Sequence, residues 1–203
     1  MTSLNLHGLH SASGTETVNK KALFITGSDR KAQQAQQALR RYGIEVETRE
    51  CDVDEIQSTD AAKISTAKAK AAYAIVQKPL VVNDHFWSIP ALGGFPGGYI
   101  KDINNWFEPE DYLALMKNKT DRSATLTEHV VYFDGQEIKQ FSVSFKGKFV
   151  HEPKGESPIN QEKVFSFDGS DKTIAEYVER GENALDVDKS AWHKFGEWFK
   201  NND

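Results

Sequence analysis

Cys51 is the only cysteine among the 203 residues, which excludes an internal disulfide and a cysteine-rich zinc site and fits a reducing compartment. No apolar run approaches the roughly 20 residues that cross a bilayer, and the N-terminus lacks the apolar stretch of a secretory signal. A basic excess is missing too. The formal net charge is −5 and the pI about 5.7, with lysine and arginine dispersed among acids, so a nucleic-acid backbone is not the expected partner. There is no internal repeat and no linker long enough to separate a pair of domains. These absences point to a soluble, cytoplasmic chain without membrane or nucleic-acid partners.

What is there is enough for a core, at 38% hydrophobic and 11% aromatic residues. Residues 1–20 are rich in Ser, Thr, Gly, His and Asn without periodicity and read as a tail or tag; residues 21–203 read as a single two-lobed domain. "KALFIT" reads as a buried strand, "GSDRK" as a turn, and "KAQQAQQALRRYG" as a helix with Ala32, Ala35, Leu39 and Tyr42 on one face and Gly43 as its stop. "IEVET" alternates as a second strand. A long helix capped by Ser58 or Thr59 is expected to bury Ile64, Ala71 and Ile75, and "PLVV" supplies a third strand. Strands alternating with helices predict an α/β fold, a parallel or mixed sheet covered on both faces.

Further on, "SATLTEHVVYF" and "EIKQFSVSFKGKFVH" alternate over long stretches around Asp134-Gly135, a hairpin signal that predicts an antiparallel pair extending the sheet or forming a second lobe. In the last helix, Trp192, Phe195 and Phe199 recur at helical spacing, which reads as core.

The stretch "VVNDHFWSIPALGGFPGGYIK" places Asp84 just past an apolar strand, where open α/β sheets hold ligands. A lone acid there is more commonly a turn cap. Its company argues for more: Gly93, Gly94, Gly97 and Gly98 with Pro90 and Pro96 form a loop of restricted shape that backbone can bring close to a ligand, and Lys101 follows. "TGSDRK" joins a strand to a helix N-terminus with Lys31 in its first turn, a place that suits phosphate, although the spacing is not that of a P-loop.

In order and spacing, "FITGSDRK", "DEIQSTDAAKISTAKAKAA", "LVVNDHFWSIPALGGFPGGYIK" and "FDGSDKTIAEY" resemble the inosine triphosphate pyrophosphatase (Ham-like) family, over about Ala22 to Phe199. That family removes pyrophosphate from non-standard purine nucleoside triphosphates. The resemblance implies a two-lobed α/β protein with a long mixed sheet, a cleft between the lobes, dependence on Mg²⁺ and a homodimer. It implies that Lys31, Lys68 and Lys101, with Thr26, Ser28 and Phe165, bind the substrate, that Glu55 and Asp84 hold the metal, and that Asp84 is catalytic. The charges suit that chemistry, because a polyphosphate needs cations along it and a carboxylate to orient water at the α-phosphorus. Read plainly, the same lysines are ordinary surface charges. The sister Maf-like pyrophosphatases fit the motifs less well.

Several positions depart from the family pattern. Ser28 stands at an asparagine position and Asn83 at that of the acid preceding Asp84. The base-reading G-W-D-x-x-F segment becomes "NQEKVF", with Glu162 at the acid and Ile159 at the aromatic platform. An S-H-R triplet becomes Asp186, Val187 and Asp188, and its preceding lysine becomes Glu182. Donors for a 6-keto purine have become acceptors. Two readings follow: a Mg²⁺-dependent nucleoside triphosphate pyrophosphohydrolase with altered base recognition, in which His85, Phe86 or Trp87 meets the base, or a relative that binds a nucleotide or partner without hydrolysis.

Overall fold

A computed structural model of the chain describes residues 20–202; the expected tail, apart from Lys20, lies outside the described residues. Lys20 itself opens the first strand, and its ammonium donates to the carbonyls of Phe199 (3.2 Å) and Asn202 (3.1 Å) at the end of the last helix.

Strand β1 (Lys20–Ile25) runs parallel to β2 (Ile44–Arg49) along its whole length, with helix α1 (Asp29–Arg40) as the crossover. The α1 start is local chemistry: the Ser28 hydroxyl accepts the Lys31 N–H and Asp29 favours the positive end of the helix dipole. Helix α2 (Ala61–Val76) begins on Asp60, whose carboxylate accepts the N–H groups of Ala62 and Lys63, one or two residues beyond the expected caps. Its buried face is Ile64, Ser65, Ala69, Ala72 and Val76. The expected face was wrong at one end: Ile75 is 54% exposed, because Val76 and Ala72 are the residues that meet the sheet.

The third strand is longer than its apolar run. β3 (Leu80–Ile89) pairs with β1 only at Phe24↔Val81 and is then unpaired on that side until Trp87, where a later short strand takes the edge, while its other edge stays paired to β5 (Ser123–Phe133) from Leu80↔Phe133 to Ser88↔Thr125. Asp84 therefore stands within β3 and not in a loop after it. It lies where β1 has ended and left one edge of β3 open. The long antiparallel partner overrides the weak strand propensity of Asn83 and Asp84.

After β3 come a 3₁₀ turn at Pro90–Leu92, β4 (Phe95–Gly97) folded back on β3, and two short helices that the sequence did not announce, α3 (Ile100–Trp106) and α4 (Pro109–Leu115). Gly93, Gly94 and Gly97 take positive φ (66°, 95° and 61°), which fixes the loop's reversal. At Gly98 a Cβ would lie 2.6 Å from Ile64 Cδ1, so the end of that side chain would have to shift to admit one.

The expected hairpin is present. β5 pairs in full with β6 (Ile138–Phe149), extending the sheet, and the Asp134 carboxylate accepts the N–H groups of Gln136 (2.8 Å) and Glu137 (2.7 Å) in the turn. β7 (Phe165–Phe167) adds to β6, α5 (Ile174–Glu179) follows, and α6 (Ala191–Asn201) closes the fold. The order is β2-β1-β3-β5-β6-β7 in one seven-stranded mixed sheet, with β4 on β3.

Hydrophobic clusters cover this sheet in three places. Phe24, Leu39, Val81, Val130, Trp192 and Phe195 pack under α1 and α6, with Phe24 edge-on to Trp192 at 4.8 Å. Val82, Val131 and Phe133 pack under α2. Trp87, Ile89, Tyr112, Phe149 and Phe165 form the core of the second lobe. Burying each such side chain contributes roughly 1.5–3 kcal/mol. The lobes meet at the middle of β3 and leave a cleft. No helix among the described residues is long and apolar enough to cross a membrane.

Candidate functional site

The cleft has a volume of about 1240 Å³ and is lined by residues far apart in the chain, among them Thr26, Ser28, Lys31, Glu55, Lys68, Asp84 and Lys101. At its centre Lys68, one side of α2, donates to Asp84 Oδ1 at 2.8 Å and to Glu55 Oε1 at 2.7 Å. From the start of α1, Lys31 reaches across to the backbone carbonyl of Asn83 at 2.9 Å. Lys101 stands on α3 on the wall of the second lobe, and among the described residues it has no ion-pair partner.

The charges of this network are set by burial and by one another. Burial pushes the Asp84 carboxyl up, but the ammonium of Lys68, and then that of Lys31, outweigh it and hold Asp84 below the usual carboxylate range. For Lys68 burial pulls downward, and Asp84 followed by Glu55 more than offsets it, so its pKa is raised. Lys31 goes the other way: desolvation outweighs the attraction of Asp84 and lowers it.

Thr26 and Ser28 line the cleft from the loop between β1 and α1, and both hydroxyls are engaged locally. Thr26 Oγ1 accepts the Ser28 N–H at 3.1 Å, and Ser28 caps α1. Gly27 between them is crossed closely by Glu50, whose Oε1 would be 2.8 Å from a Cβ.

Phe165 is not at the cleft. It is 0% exposed and packs edge-on to Trp87 at 4.6 Å, because the alternation of β7 turns it into the core of the second lobe. Asn83 also differs from expectation. Adjacent strand residues point to opposite faces, and while Asp84 meets α2, the Asn83 amide turns to the other face and donates to the His129 carbonyl at 3.1 Å. Asn83 also lines the cleft, but its side chain is on the face of β3 opposite the one that carries Asp84.

At the far end of the cleft a guanidinium meets an acid. Arg30 of α1 reaches Glu162 Oε1 at 2.7 Å, and Ser157 donates to the other Glu162 oxygen at 2.5 Å, so a guanidinium stands beside the "NQEKVF" segment. Ile159 and Gln161 line the same end, together with Glu182 from the segment before α6. Asp186 and Asp188 do not line it: Asp188 pairs with Arg41 and Asp186 with Lys189. The side chain of Val187 lies outside the described residues. Of the suggested base contacts, His85, Phe86 and Trp87 all line the cleft. Arg30, Glu50 and Gln161 were not singled out in the sequence; Arg30 could have been found from its place inside "TGSDRK", next to Lys31.

Whether a divalent cation fits can be judged from the donors. Glu55 and Asp84 offer hard carboxylate oxygens, drawn together on one ammonium, and among the described residues no cluster of three or more acidic, histidine or cysteine ligands exists. That set suits Mg²⁺, which keeps waters and takes substrate phosphates as its remaining ligands.

The comparisons with known proteins agree on the family and the fold. Residues 22–198 match the model of the Ham1 family. A dITP/XTP pyrophosphatase of Methanopyrus kandleri is 33% identical over 183 residues, covering 90% of this chain and 97% of that protein. The inosine triphosphate pyrophosphatase 2 of Trypanosoma cruzi is 32% identical over 169 residues, 82% of this chain and 86% of that one. Among solved structures, a HAM1 protein from Coxiella burnetii superposes with a TM-score of 0.76 at 16% identity, over 90% of this chain and all of the other, and supports the fold. From the Lys31-bearing loop through Asp84 to the last helix, then, one continuous match spans nearly the whole chain, and the protein belongs to the Ham1 family.

Proposed function

We propose that the protein is a Mg²⁺-dependent nucleoside triphosphate pyrophosphohydrolase, converting a nucleoside triphosphate to the monophosphate and pyrophosphate, with altered base recognition. The observation that carries this reading is the convergence of Lys31, Lys68, Glu55 and Asp84, from four separate elements or loops, on one point of the cleft. A fold has little other reason to hold two ammonium groups so close around one buried carboxylate, since like charges repel and buried charge costs solvation. The activity named for its relatives needs such a set.

In this reading Lys31, Lys68 and Lys101 bind the triphosphate, and Lys68 exchanges its carboxylates for phosphate oxygens. Asp84, ionised through the neutral range, accepts a hydrogen bond from the attacking water and aims it at the α-phosphorus. The new P–O bond forms there as the bond from the α-phosphorus to the bridging oxygen breaks, the water's proton passes to Asp84 and on to solvent, and pyrophosphate leaves with the bridging oxygen. Glu55 and Asp84 would hold Mg²⁺, which when bound offsets the charge of the phosphates.

Base recognition is read differently from the family because the donors of the S-H-R triplet are absent. Arg30 with Glu162 presents a donor and an acceptor side by side, which tolerates an amino group as well as a keto oxygen. The alternative of binding without hydrolysis loses support from Asn83, which lies on the other face of β3 from Asp84.

The test is pyrophosphate release from standard, deaminated and modified nucleoside triphosphates with and without Mg²⁺. Release from at least one of them, dependent on Mg²⁺, supports the reading. No release from any overturns it.

A further inference from the structure

Behind Asp84, on the protein side, lies an arrangement that the phosphate site does not use. Among the described residues four buried side-chain polar atoms lack a well-formed hydrogen bond, and three of them belong to neighbouring residues: Asp84 Oδ2, Ser65 Oγ and His129 Nδ1. The backbone brings them together. His129 is the residue directly opposite Asp84 in the β3–β5 register, so the two side chains leave the sheet on the same face. Ser65 is on the buried face of α2, one turn before Lys68, the residue that holds the other Asp84 oxygen. The His129 ring is set in place by Phe86, which it meets edge-on at 5.3 Å.

A buried polar atom without a partner costs about 1–3 kcal/mol, so a carboxylate oxygen and two potential donors left so on neighbouring residues call for an explanation in what the site does. Asp84 Oδ1 is taken by Lys68. A triphosphate competes for that ammonium, and as Lys68 turns to it Asp84 loses its one short hydrogen bond, leaving only the Ser65 hydroxyl, which already stands near enough to help hold the carboxyl low. Ser65 O–H and a His129 ring N–H are donors with nothing else to bind, and a carboxylate oxygen accepts two bonds. Bonds of this kind are commonly long or misaligned without substrate and close in the complex.

We propose that Ser65 and His129 are positioning residues that hold Asp84 by Oδ2 when Lys68 is drawn to the triphosphate, keeping Oδ1 aimed into the cleft. The inference rests on the reading of Asp84 as the carboxylate that orients water. It assigns neither residue contact with the substrate.

The experiment has two arms on the full chain, with Ser65→Ala, His129→Phe and His129→Asn, the last keeping an N–H donor close to the place of Nδ1. In the kinetic arm, Ser65→Ala and His129→Phe lower kcat about tenfold or more with KM within about twofold, and His129→Asn recovers most of the loss, the size usual for groups that orient a ligating carboxylate. In the second arm, the side-chain carboxyl ¹³C resonance of Asp84, assigned by its loss in Asp84→Asn, is followed at constant neutral pH with Mg²⁺ and inorganic tripolyphosphate. It moves in Ser65→Ala and His129→Phe and returns in His129→Asn. Wild-type kcat and an unmoved resonance in Ser65→Ala and His129→Phe overturn the proposal, as does a His129→Asn variant no better than His129→Phe. Should the wild type release pyrophosphate from no nucleotide, the proposed function falls and the resonance alone decides this inference. If His129→Phe does not fold, as judged by circular dichroism, Ser65→Ala decides it.

Discussion

Lys68 and Asp84 meet at 2.8 Å between the side of α2 and the middle of β3, and each keeps the other charged: the carboxyl lies below its usual range and the ammonium above. The contact exists because β1 stops at Ile25, which opens the edge of β3 to a residue from the helix. Both elements are anchored elsewhere, α2 by Ala69, Ala72 and Val76 and β3 by its long pairing with β5. The site is thus held by its scaffold more than by its own ion pairs.

Asp84→Asn is expected to lower kcat by about 10²–10³ while leaving the fold in place, because the amide can no longer accept the water's proton and loses the charge that balances Lys31 and Lys68. Steady-state kinetics with pyrophosphate detection, alongside circular dichroism, checks it. Loss of less than about tenfold would remove Asp84 from the chemistry.

The same pair has a pH signature. Asp84, with a folded pKa below its ordinary 3.8, contributes stability that is fully present above that value and is lost as the pH falls through the lower folded one. Lys68, raised above 10.5, contributes stability fully present below that value and lost as the pH rises through the higher one. Between about 4 and about 10 the pair is intact. The stability difference between wild type and Asp84→Asn should accordingly be constant across neutral pH and shrink below about pH 4, as read from urea unfolding at a series of pH values. A difference that varies across the neutral range would contradict the assignment.

How far the sequence spoke for this structure depended on the range of the interactions. The Asp134-Gly135 turn and the α1 start were legible, because their hydrogen bonds lie within a few residues. Motif spacing brought Lys31, Glu55, Lys68, Asp84 and Lys101 to one cleft. What failed was set at a distance. β3 runs on through Asn83 and Asp84 because β5 lies beside it, and Ile75 is turned out because the α2 face is chosen by the sheet. Phe165 was assigned to the substrate and belongs to the core, since nothing local tells which side of a three-residue strand will face Trp87.

Gly147 offers a test of the second lobe's packing. A Cβ there would lie 2.2 Å from the Ser166 carbonyl oxygen and 2.4 Å from Phe165 Cζ, between β6 and β7. Neither a backbone carbonyl in a ladder nor a ring in a full core can yield that space, so Gly147→Ala should destabilise by about 1–3 kcal/mol. Chemical denaturation measures it, and an unchanged midpoint would mean that β7 moves freely.

The base end supplies the last expectation, which is that inosine triphosphate is not the preferred substrate. With Asp186 and Asp188 paired to Lys189 and Arg41 outside the cleft, neither position supplies the donor that a 6-keto oxygen takes, and an unpaired buried carbonyl costs roughly 1–3 kcal/mol. The remaining guanidinium, Arg30, is shared with Glu162, whose second oxygen is held by Ser157. Glu162 can accept from an amino group, so kcat/KM for amino-bearing and keto bases should differ by less than about tenfold. Arg30→Ala should then weaken keto bases selectively, and Glu162→Gln amino-bearing ones, each by about five- to a hundredfold in kcat/KM, the size of one lost hydrogen bond to a charged group. Placing the family's histidine and arginine at positions 187 and 188 should restore little, because an arginine at 188 would face Arg41 and be repelled from the place where Asp188 now sits. Strong wild-type selectivity for inosine triphosphate, left intact in Arg30→Ala, would show that the base is read by other groups.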